Sequence, residues 1–350
     1  MKKYTNLIQQ NIAPKEAKKI AVFNSAGNKI GIINLGNLAQ TLLDKKLYSF
    51  GALSDVHITY ETAESDFQKA LTYLNKIEKV DFICICGDLI SQGLAEQLNN
   101  YKTLVDTYSN NTPVYAISGN HESYDDNWGQ NSEDVIKNLI ETYTGKPLYY
   151  SFEYNNDVFI MVGIKSDSEG KLFSEGELQW LYETLEANRN KRCFVFEHVR
   201  PQDGCGNAYG IYSNDIWGGT EATIFESLMK HYKNAILFHG HSHLKLALQT
   251  KDNLANIDRL FGSWSVHIPS LSVPRTGDIS GAPSKKELYA ESEGYIVDVY
   301  ENCIILRGRD FIKNEYIPLG IYCLDTTLTN IEANTFVDSS NTLNTQTKEK

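Results

Sequence analysis

Five groups of metal-binding side chains each follow a short apolar run of this 350-residue sequence, and this repeated order constrains the fold more than any other feature. Each run reads as a β-strand because it is short and gives way to polar residues or glycine. The five runs are 48–53, 82–86, 114–117, 193–196 and 235–238. In an α/β sheet, ligands bind at the edge formed by the carboxyl ends of the strands. Five distant segments are therefore predicted to meet at one site.

The five groups offer carboxylate, imidazole and amide ligands, and they contain no sulfur. They are Asp55-x-His57, Gly87-Asp88, Gly119-Asn120-His121-Glu122, Glu197-His198 and Gly240-His241-Ser242-His243. Such ligands suit manganese, iron, zinc or cobalt and argue against a structural zinc site. Glycines at 87, 119 and 240 are expected where the backbone must pass close to the metals.

Segments with the apolar periodicity of α-helices lie between the apolar runs. Ser174 and Glu177 form a predicted capping box at the start of one helix. In another, apolar residues recur every three or four positions, at Phe67, Ala70, Leu71, Leu74 and Ile77. A further strand is predicted at 158–164, and the runs 295–300 and 303–306 are predicted to complete a second sheet. Alternating strands and helices indicate a layered α/β domain.

The two ends of the chain differ from the middle. Within residues 1–46, two apolar runs flank the turn-forming residues 24–28, which predicts a small β-hairpin. This segment either pads the main domain or docks the chain onto a protein partner. The main domain is predicted to span 47–325. Residues 326–350 are rich in Thr, Asn, Ser and Glu and are predicted to form a flexible polar tail.

The net charge of −11 argues against binding a nucleic-acid duplex, because that affinity comes largely from Lys and Arg. A small or exposed phosphate ester remains compatible, since metal ions supply positive charge locally. No segment approaches the roughly 20 apolar residues that span a bilayer, and no signal peptide follows Met1, so no membrane contact and a cytoplasmic location are expected. The six cysteines form no CxxC pair, and the three that lie inside apolar runs are expected to be buried free thiols.

Taken in order, the five groups resemble the signature of the calcineurin-like metallophosphoesterases over residues 48–310, and 206–243 is similar to a bacterial or phage-type subgroup. The resemblance implies a four-layered α/β/β/α sandwich with two metal ions at the sheet edge, of manganese, iron or zinc. It implies that one metal is bound by Asp55, His57 and His243, and that the other is bound by Asn120, His198 and His241. Asp88 would bind both metals, and His121 would stay off them.

One departure narrows the resemblance. In the purple acid phosphatases, a tyrosine that ligates iron stands three residues after the Gly-Asp aspartate, and this chain has Ser91 there. That subfamily is therefore disfavoured.

The predicted activity is hydrolysis of a phosphate monoester or diester by a metal-bridging hydroxide. Asp88 and His121 are the predicted catalytic residues, with His121 protonating the leaving alkoxide. One alternative is a non-catalytic binding or scaffold protein on the same fold, although such proteins often lose ligands and all seven are present here. Another is an active enzyme anchored by residues 1–46 to a larger, phage-like assembly, which would make it virion-associated.

Other candidate residues carry weaker signals. His231, His239 and His267 are interpreted as structural, with a supporting role for His239 left open by its place just before the last group. The loop 200–219, rich in glycine and aromatic residues, is either a surface loop or a rim that faces the substrate. Within it, Arg200 either contacts a phosphate oxygen or is solvated.

Overall fold

The computed structural model describes residues 3–5, 19–23, 29–34, 46–165, 172–199, 205–206, 219–246, 256–258, 264–276 and 286–326. Several predictions concern residues outside these ranges. They are the turn at 24–28, Arg200 with most of the loop 200–219, and the tail 326–350 beyond Thr326.

Each predicted apolar run overlaps a strand of the described ranges, and further strands were not predicted. In chain order they are β1 (Lys3–Thr5), β2 (Lys19–Phe23), β3 (Lys29–Asn34), β4 (Lys46–Leu53), β5 (Phe82–Cys86), β6 (Val114–Ile117), β7 (Tyr149–Tyr154), β8 (Asp157–Val162), β9 (Cys193–Phe196), β10 (Ala235–His239), β11 (Ile257–Asp258), β12 (Ser265–His267), β13 (Arg275–Thr276), β14 (Lys286–Glu287), β15 (Glu293–Tyr300), β16 (Cys303–Asp310) and β17 (Glu315–Asp325).

Helices lie between the strands of the first two thirds of the chain. They are α1 (Ala63–Thr72), which continues into a π-helical turn (Tyr73–Glu78), α2 (Ala95–Tyr108), a 3₁₀ turn (His121–Ser123), α3 (Glu133–Thr144), α4 (Glu175–Ala187) and α5 (Gly219–His231). The predicted capping box is confirmed. The Glu177 backbone N–H donates to Ser174 Oγ, and the Ser174 backbone N–H donates to the Glu177 carboxylate. At the end of α3, Gly145 adopts φ 68°, a left-handed conformation that stops the helix.

The strands that precede the metal-binding groups divide between two sheets. A nine-stranded sheet has the order β3-β2-β1-β17-β16-β15-β4-β5-β6, and a six-stranded sheet has the order β11-β12-β10-β9-β8-β7. In the first sheet, β4, β5 and β6 run parallel. In the second, β8, β9 and β10 run parallel. The carboxyl ends of parallel strands from both sheets therefore supply the site.

The prediction that 295–300 and 303–306 complete the second sheet is wrong. Both runs lie in the nine-stranded sheet, where β15 pairs antiparallel with β4 through Tyr295 and Ala52, among others. The physical reason is that β5 pairs with only one edge of the buried strand β4, and the backbone groups on its other edge also need partners. Apolar runs show that these strands are buried, but not which strand they join.

The N-terminal strands extend the same sheet. Ile20 of β2 pairs with Ile33 of β3 in an antiparallel register. Tyr4 of β1 pairs with Cys323 of β17, so the beginning of the described chain lies beside its last strand. The division of the chain at residue 46 stays a prediction.

Three apolar clusters separate four layers. Between the sheets, aromatic rings predominate, with Phe50, Phe82, Phe159, Phe194 and Phe238 all buried. A second cluster joins the outer face of β4–β6 to α1–α3, and a third joins β8–β10 to α4 and α5. Burying each such aromatic side chain contributes about 1.5–3 kcal/mol. The predicted α/β/β/α sandwich is confirmed.

The cysteines agree with the expectation of free thiols. All six cysteines are free, and all except the half-buried Cys323 are buried. Across the described ranges, the helices are too short or too polar for a membrane span.

Candidate metal centre

The seven predicted ligands lie together where the carboxyl ends of five strands meet. In one group, ligand atoms of Asp55, His57, Asp88 and His243 all lie within 4.8 Å of one another. In a second group, the same limit holds for Asp88, His198 and His241. Asp88 belongs to both groups. The seventh residue, Asn120, lines the same cleft.

Nitrogen and oxygen ligand atoms approach one another closely, and each approach requires a proton or a cation between the two atoms. His57 Nε2 lies 3.0 Å from His243 Nε2. His243 Nε2 also lies 3.0 Å from Asp55 Oδ1. In the second group, His198 Nε2 lies 3.1 Å from Asp88 Oδ2.

Backbone carbonyls fix which ring nitrogen faces inward. His198 Nδ1 lies 2.6 Å from the Cys86 carbonyl oxygen, and His243 Nδ1 lies 3.0 Å from that of Val273. A carbonyl oxygen only accepts, so each Nδ1 carries a hydrogen and the lone pair of a neutral ring is on Nε2. This second hydrogen bond is the usual arrangement of a metal-binding histidine. When the rings are neutral, both Nε2 atoms therefore present a lone pair towards the carboxylates, as metal binding requires.

The donor set fits a pair of divalent cations. Asn120 Oδ1 is buried and has no hydrogen-bond partner within the described part of the chain. An unpaired buried acceptor costs free energy that a cation would offset. Oxygen and imidazole nitrogen ligands in this number suit manganese, iron or zinc.

Burial and neighbouring charge set the protonation of the groups. Burial acts to lower the pKa of His198, but the Asp88 and Asp55 carboxylates raise it to about 10. Burial lowers the pKa of His57, and burial together with His198 lowers that of His241 to about 3. Without cations, the centre therefore holds a proton on His198, which metal binding must displace.

Five of the seven candidate ligands have a left-handed backbone. Their φ values are 54° at Asp55, 49° at His57, 50° at Asp88, 70° at His241 and 58° at His243. This region costs a residue other than glycine roughly 1–2 kcal/mol. Backbone hydrogen bonds hold it in place, since Asp55 N donates to the Gly87 carbonyl and His57 N to that of Asp88. Such local strain is typical of functional sites.

The three glycines lie against ligand side chains, as expected. A Cβ at Gly119 would stand 2.2 Å from Asp88 Oδ1, and one at Gly87 would stand 2.6 Å from His198 Nδ1. A Cβ at Gly240 would stand 2.6 Å from Asp55 Oδ2. No side chain fits at these positions unless a ligand moves.

His121 lies beside both groups without joining either. Its backbone N–H donates to Asp88 Oδ1 over 2.9 Å, and its Nδ1 lies 2.7 Å from the Ser91 carbonyl oxygen. Its Nε2 is 4.0 Å from Asp88 Oδ2, and 19% of its side chain is exposed. The Ser91 hydroxyl donates to the Ile58 carbonyl over 3.1 Å.

A cleft of about 240 Å³ opens over the two groups. Its lining comprises His57, Asp88, Asn120, His121, Tyr124, His241, His243 and Arg275. Sequence reasoning missed Tyr124 and Arg275. Arg275 is held next to the last ligand, because its backbone N–H donates to the His243 carbonyl over 2.7 Å. Arg275 lies 32 residues after His243, and no local sequence pattern marks it as part of the site. Tyr124 could have been noticed, because it lies just after the third group.

The other histidines lie outside the two groups. His267 supports the last ligand loop, since its Nε2 lies 2.8 Å from Ser242 Oγ, between His241 and His243. His239 is buried with its Nε2 3.3 Å from Cys205 Sγ. His231 is at the end of α5.

Comparison with known proteins agrees with this geometry. Residues 48–245 match the family model described as calcineurin-like phosphoesterase. A purple acid phosphatase from yellow lupin (Lupinus luteus) seeds is 13% identical with a TM-score of 0.60, over 92% of this chain and 60% of that one. GAP50, the anchor in the inner membrane complex of Plasmodium, is 16% identical with a TM-score of 0.50, over 85% of this chain and 93% of its own. This chain thus spans less than two thirds of the lupin protein, and both likenesses concern the fold.

Proposed function

Because the chain belongs to the calcineurin-like phosphoesterase family, we propose that it is a metal-dependent enzyme that hydrolyses a phosphate monoester or diester at a dinuclear metal centre. One metal would be held by Asp55, His57 and His243, the other by Asn120, His198 and His241, and both by Asp88. The ester would be small or exposed, since the cleft measures about 240 Å³.

The position of Asp88 is the observation that carries this proposal. It is the one residue common to both groups of candidate ligands, and it is buried. A carboxylate offers two oxygens, so it can serve two cations at once. When bound, the cations would supply an activated water and neutralise charge on the phosphate.

The chain's own residues supply the proton for the leaving group. His121 Nδ1–H donates to the Ser91 carbonyl, so Nε2 of the doubly protonated ring is the nitrogen that can give a proton to the departing oxygen. The hydrogen bond from its backbone to Asp88 fixes the ring beside the centre.

Arg275 is the proposed contact for a phosphate oxygen. It lines the cleft next to His243, and its positive charge acts to lower the pKa of that histidine. A guanidinium group presents a fork of donors that matches phosphate geometry. In a chain with a net charge of −11, this cation and the metals would attract an anionic substrate.

Metal-dependent turnover of p-nitrophenyl phosphate and bis(p-nitrophenyl) phosphate tests the proposal. We expect Asp88→Asn to abolish hydrolysis and His121→Gln to reduce kcat by about 10²–10⁴. His231→Gln, on the far end of α5, is the matched control and should retain full activity. Undiminished turnover by protein freed of metal would contradict the proposal, whereas turnover restored by manganese, iron or zinc would also identify the metal.

Two alternatives assign this fold another role, either as a non-catalytic scaffold protein or as an enzyme anchored to a larger assembly. GAP50, which shares the fold, is an anchor protein. A protein kept only for interaction has no need to keep all seven ligands and His121 in one place, so we favour the enzyme. A protein partner for residues 1–46 is a separate proposal: deleting them should release the partner while catalysis continues.

A further inference from the structure

Two aromatic side chains pack against His121. The ring centroid of Tyr124 lies 5.2 Å from that of His121, and the Trp128 centroid lies 6.2 Å away, both nearly perpendicular to the imidazole. The two aromatic rings are 5.6 Å apart. Tyr124 lines the cleft, whereas Trp128 is 59% exposed. A large apolar surface is therefore presented beside the proposed proton donor.

Trp128 is held in this position against two unfavourable contributions. Its φ of 60° is left-handed, which is rare for a bulky residue. Its exposed ring also gives up the free energy that burial would provide. The loop nevertheless fixes it, because the Asp125 carboxylate accepts the backbone N–H groups of Asn127 and Gly129 at 2.9 and 2.6 Å. A strained residue kept by its surroundings points to a function.

The proton donor locates the leaving group. Since Nδ1 of His121 bonds to the Ser91 carbonyl, the departing oxygen must lie near Nε2. Hydrolysis adds water to phosphorus and breaks the bond from phosphorus to the ester oxygen, which takes its proton from His121. The rest of the leaving group then lies among the side chains around that imidazole, and Tyr124 and Trp128 are two of them.

We propose that Tyr124 and Trp128 form an aromatic wall that selects phosphate esters whose leaving group carries a flat aromatic ring. This inference rests on the proposed function and adds the substrate class. Aromatic rings stack on one another in preferred geometries and add affinity beyond the area they bury. Asp125 and Asp126 lie in the same loop, so the wall disfavours a leaving group with further negative charge.

Three substrates and two variants test the wall. Phenyl phosphate and a nucleoside 5′-monophosphate carry an aromatic ring, and glycerol phosphate carries none. Trp128→Gly removes the ring and suits the left-handed backbone, so the loop should keep its fold. We expect it to lower kcat/KM for one or both aromatic esters by roughly ten-fold, the scale of aromatic stacking, and to leave glycerol phosphate unchanged. Trp128→Phe should retain the preference.

The two aromatic esters identify the source of the ring. If Trp128→Gly lowers kcat/KM for phenyl phosphate alone, the preferred leaving group carries its aromatic ring directly on the ester oxygen. If it lowers kcat/KM for the nucleotide alone, the preferred aromatic ring is separated from the ester oxygen by a sugar. An equal loss on all three esters, or no loss on any, overturns the wall. Ile77→Ala removes another exposed apolar side chain, at 66% exposure, and should change none of the rates.

Binding of phosphonates separates this inference from the proposed function. Phenylphosphonate and methylphosphonate are not hydrolysed, so their affinities can be measured by calorimetry on the metal-loaded protein. We expect phenylphosphonate to bind more tightly, and Trp128→Gly to remove the difference. Equal affinities for the parent protein would overturn the wall even if hydrolysis is robust. Absence of hydrolysis would overturn the proposed function alone.

Discussion

Gly119 shows how one residue can determine the geometry of the centre. It lies between two candidate ligand loops, and a methyl group there would meet Asp88 Oδ1, Asp88 N and His198 Cδ2 at 2.8 Å or less. Two of these three atoms belong to side chains that the proposed function needs. Glycine is therefore required at this position because it has no Cβ, which leaves room for the Asp88 and His198 side chains.

We expect Gly119→Ala to displace Asp88 and to reduce activity at least ten-fold, because misplacing a catalytic group by about 1 Å can cost 10²-fold. Metal content measured by atomic absorption should fall with the rate. Gly176→Ala is the matched control: it lies in the first turn of α4 with nothing within 4 Å, and alanine favours the helix. Wild-type activity and metal content in Gly119→Ala would show that the loops tolerate the extra carbon.

The side chains that cluster in the centre could be identified from the sequence as candidate ligands, whereas their backbone conformation could not. Polar groups after apolar runs are a local pattern, so Asp55 and His243 are visible in the chain. Left-handed φ values at these residues arise from hydrogen bonds to distant segments, such as Asp55 N to Gly87 O. Arg275 was missed for a related reason, since it reaches the cleft from a segment with no periodicity that lies 32 residues after His243.

At the scale of elements, Arg307 links three parts of the nine-stranded sheet and its outer layer. From β16, its Nε donates to Asp298 Oδ2 on β15 over 2.7 Å. Its Nη2 donates to Glu78 Oε2 at the end of the π-helical turn over 2.9 Å. Burial acts to raise the pKa of Glu78, but the bonds from Arg307 and two tyrosines lower it to about 2.

The ion pair of Glu78 gives a pH-dependent contribution to stability. Its pKa is lowered on folding from 4.5 to about 2, so the contribution is full above pH 4.5 and is lost as the pH falls towards 2. We expect Glu78→Gln to lower the free energy of unfolding by about 2 kcal/mol at pH 7 and by less at pH 3. Urea denaturation at both values measures this. Glu141→Gln, on the exposed side of α3, should have little effect at either pH.

If the parent protein and Glu78→Gln differ in free energy of unfolding by the same amount at pH 7 and at pH 3, the proposed role of the Glu78 charge is contradicted. It would indicate that the substitution acts through packing against Tyr73 and Tyr316 instead.

The elements themselves were largely predictable, and their partners were not. The strands that precede the candidate ligands, and the capped helix α4, were predicted from local patterns of apolar and capping residues. The misplaced strands β15 and β16 illustrate the limit. An apolar run indicates burial, but the choice of neighbour depends on which strand edge elsewhere lacks a partner.

At the scale of the whole molecule, the centre is built from two sheets. Asp55, His57, Asp88 and Asn120 follow strands of the nine-stranded sheet, and His198, His241 and His243 follow strands of the six-stranded one. Cations bound here would link the two sheets at one end. The aromatic cluster between the sheets packs them along the remaining length.

Removal of metal should therefore lower the stability of the whole domain. A ligand at 100 times its Kd stabilises the native state by about 2.7 kcal/mol, which corresponds to roughly 5 °C in Tm for a domain of this size. We expect dialysis against a chelator to lower Tm by about this amount, and added metal to restore it. Calorimetry of Asp88→Asn is the control, since that variant should show no such shift. A Tm of the parent protein that is insensitive to metal would contradict the link.

The long separation between ligands also governs when the protein can become active in a cell. His57 and His243 touch across 186 positions, and a growing polypeptide carries only four of the seven candidate ligands until residue 198 has been made. The strand that flanks β4, β15, is made later still. Binding of both proposed cations must then wait until His243 has been made, and a truncated product that ends before His241 would lack two of the seven candidate ligands.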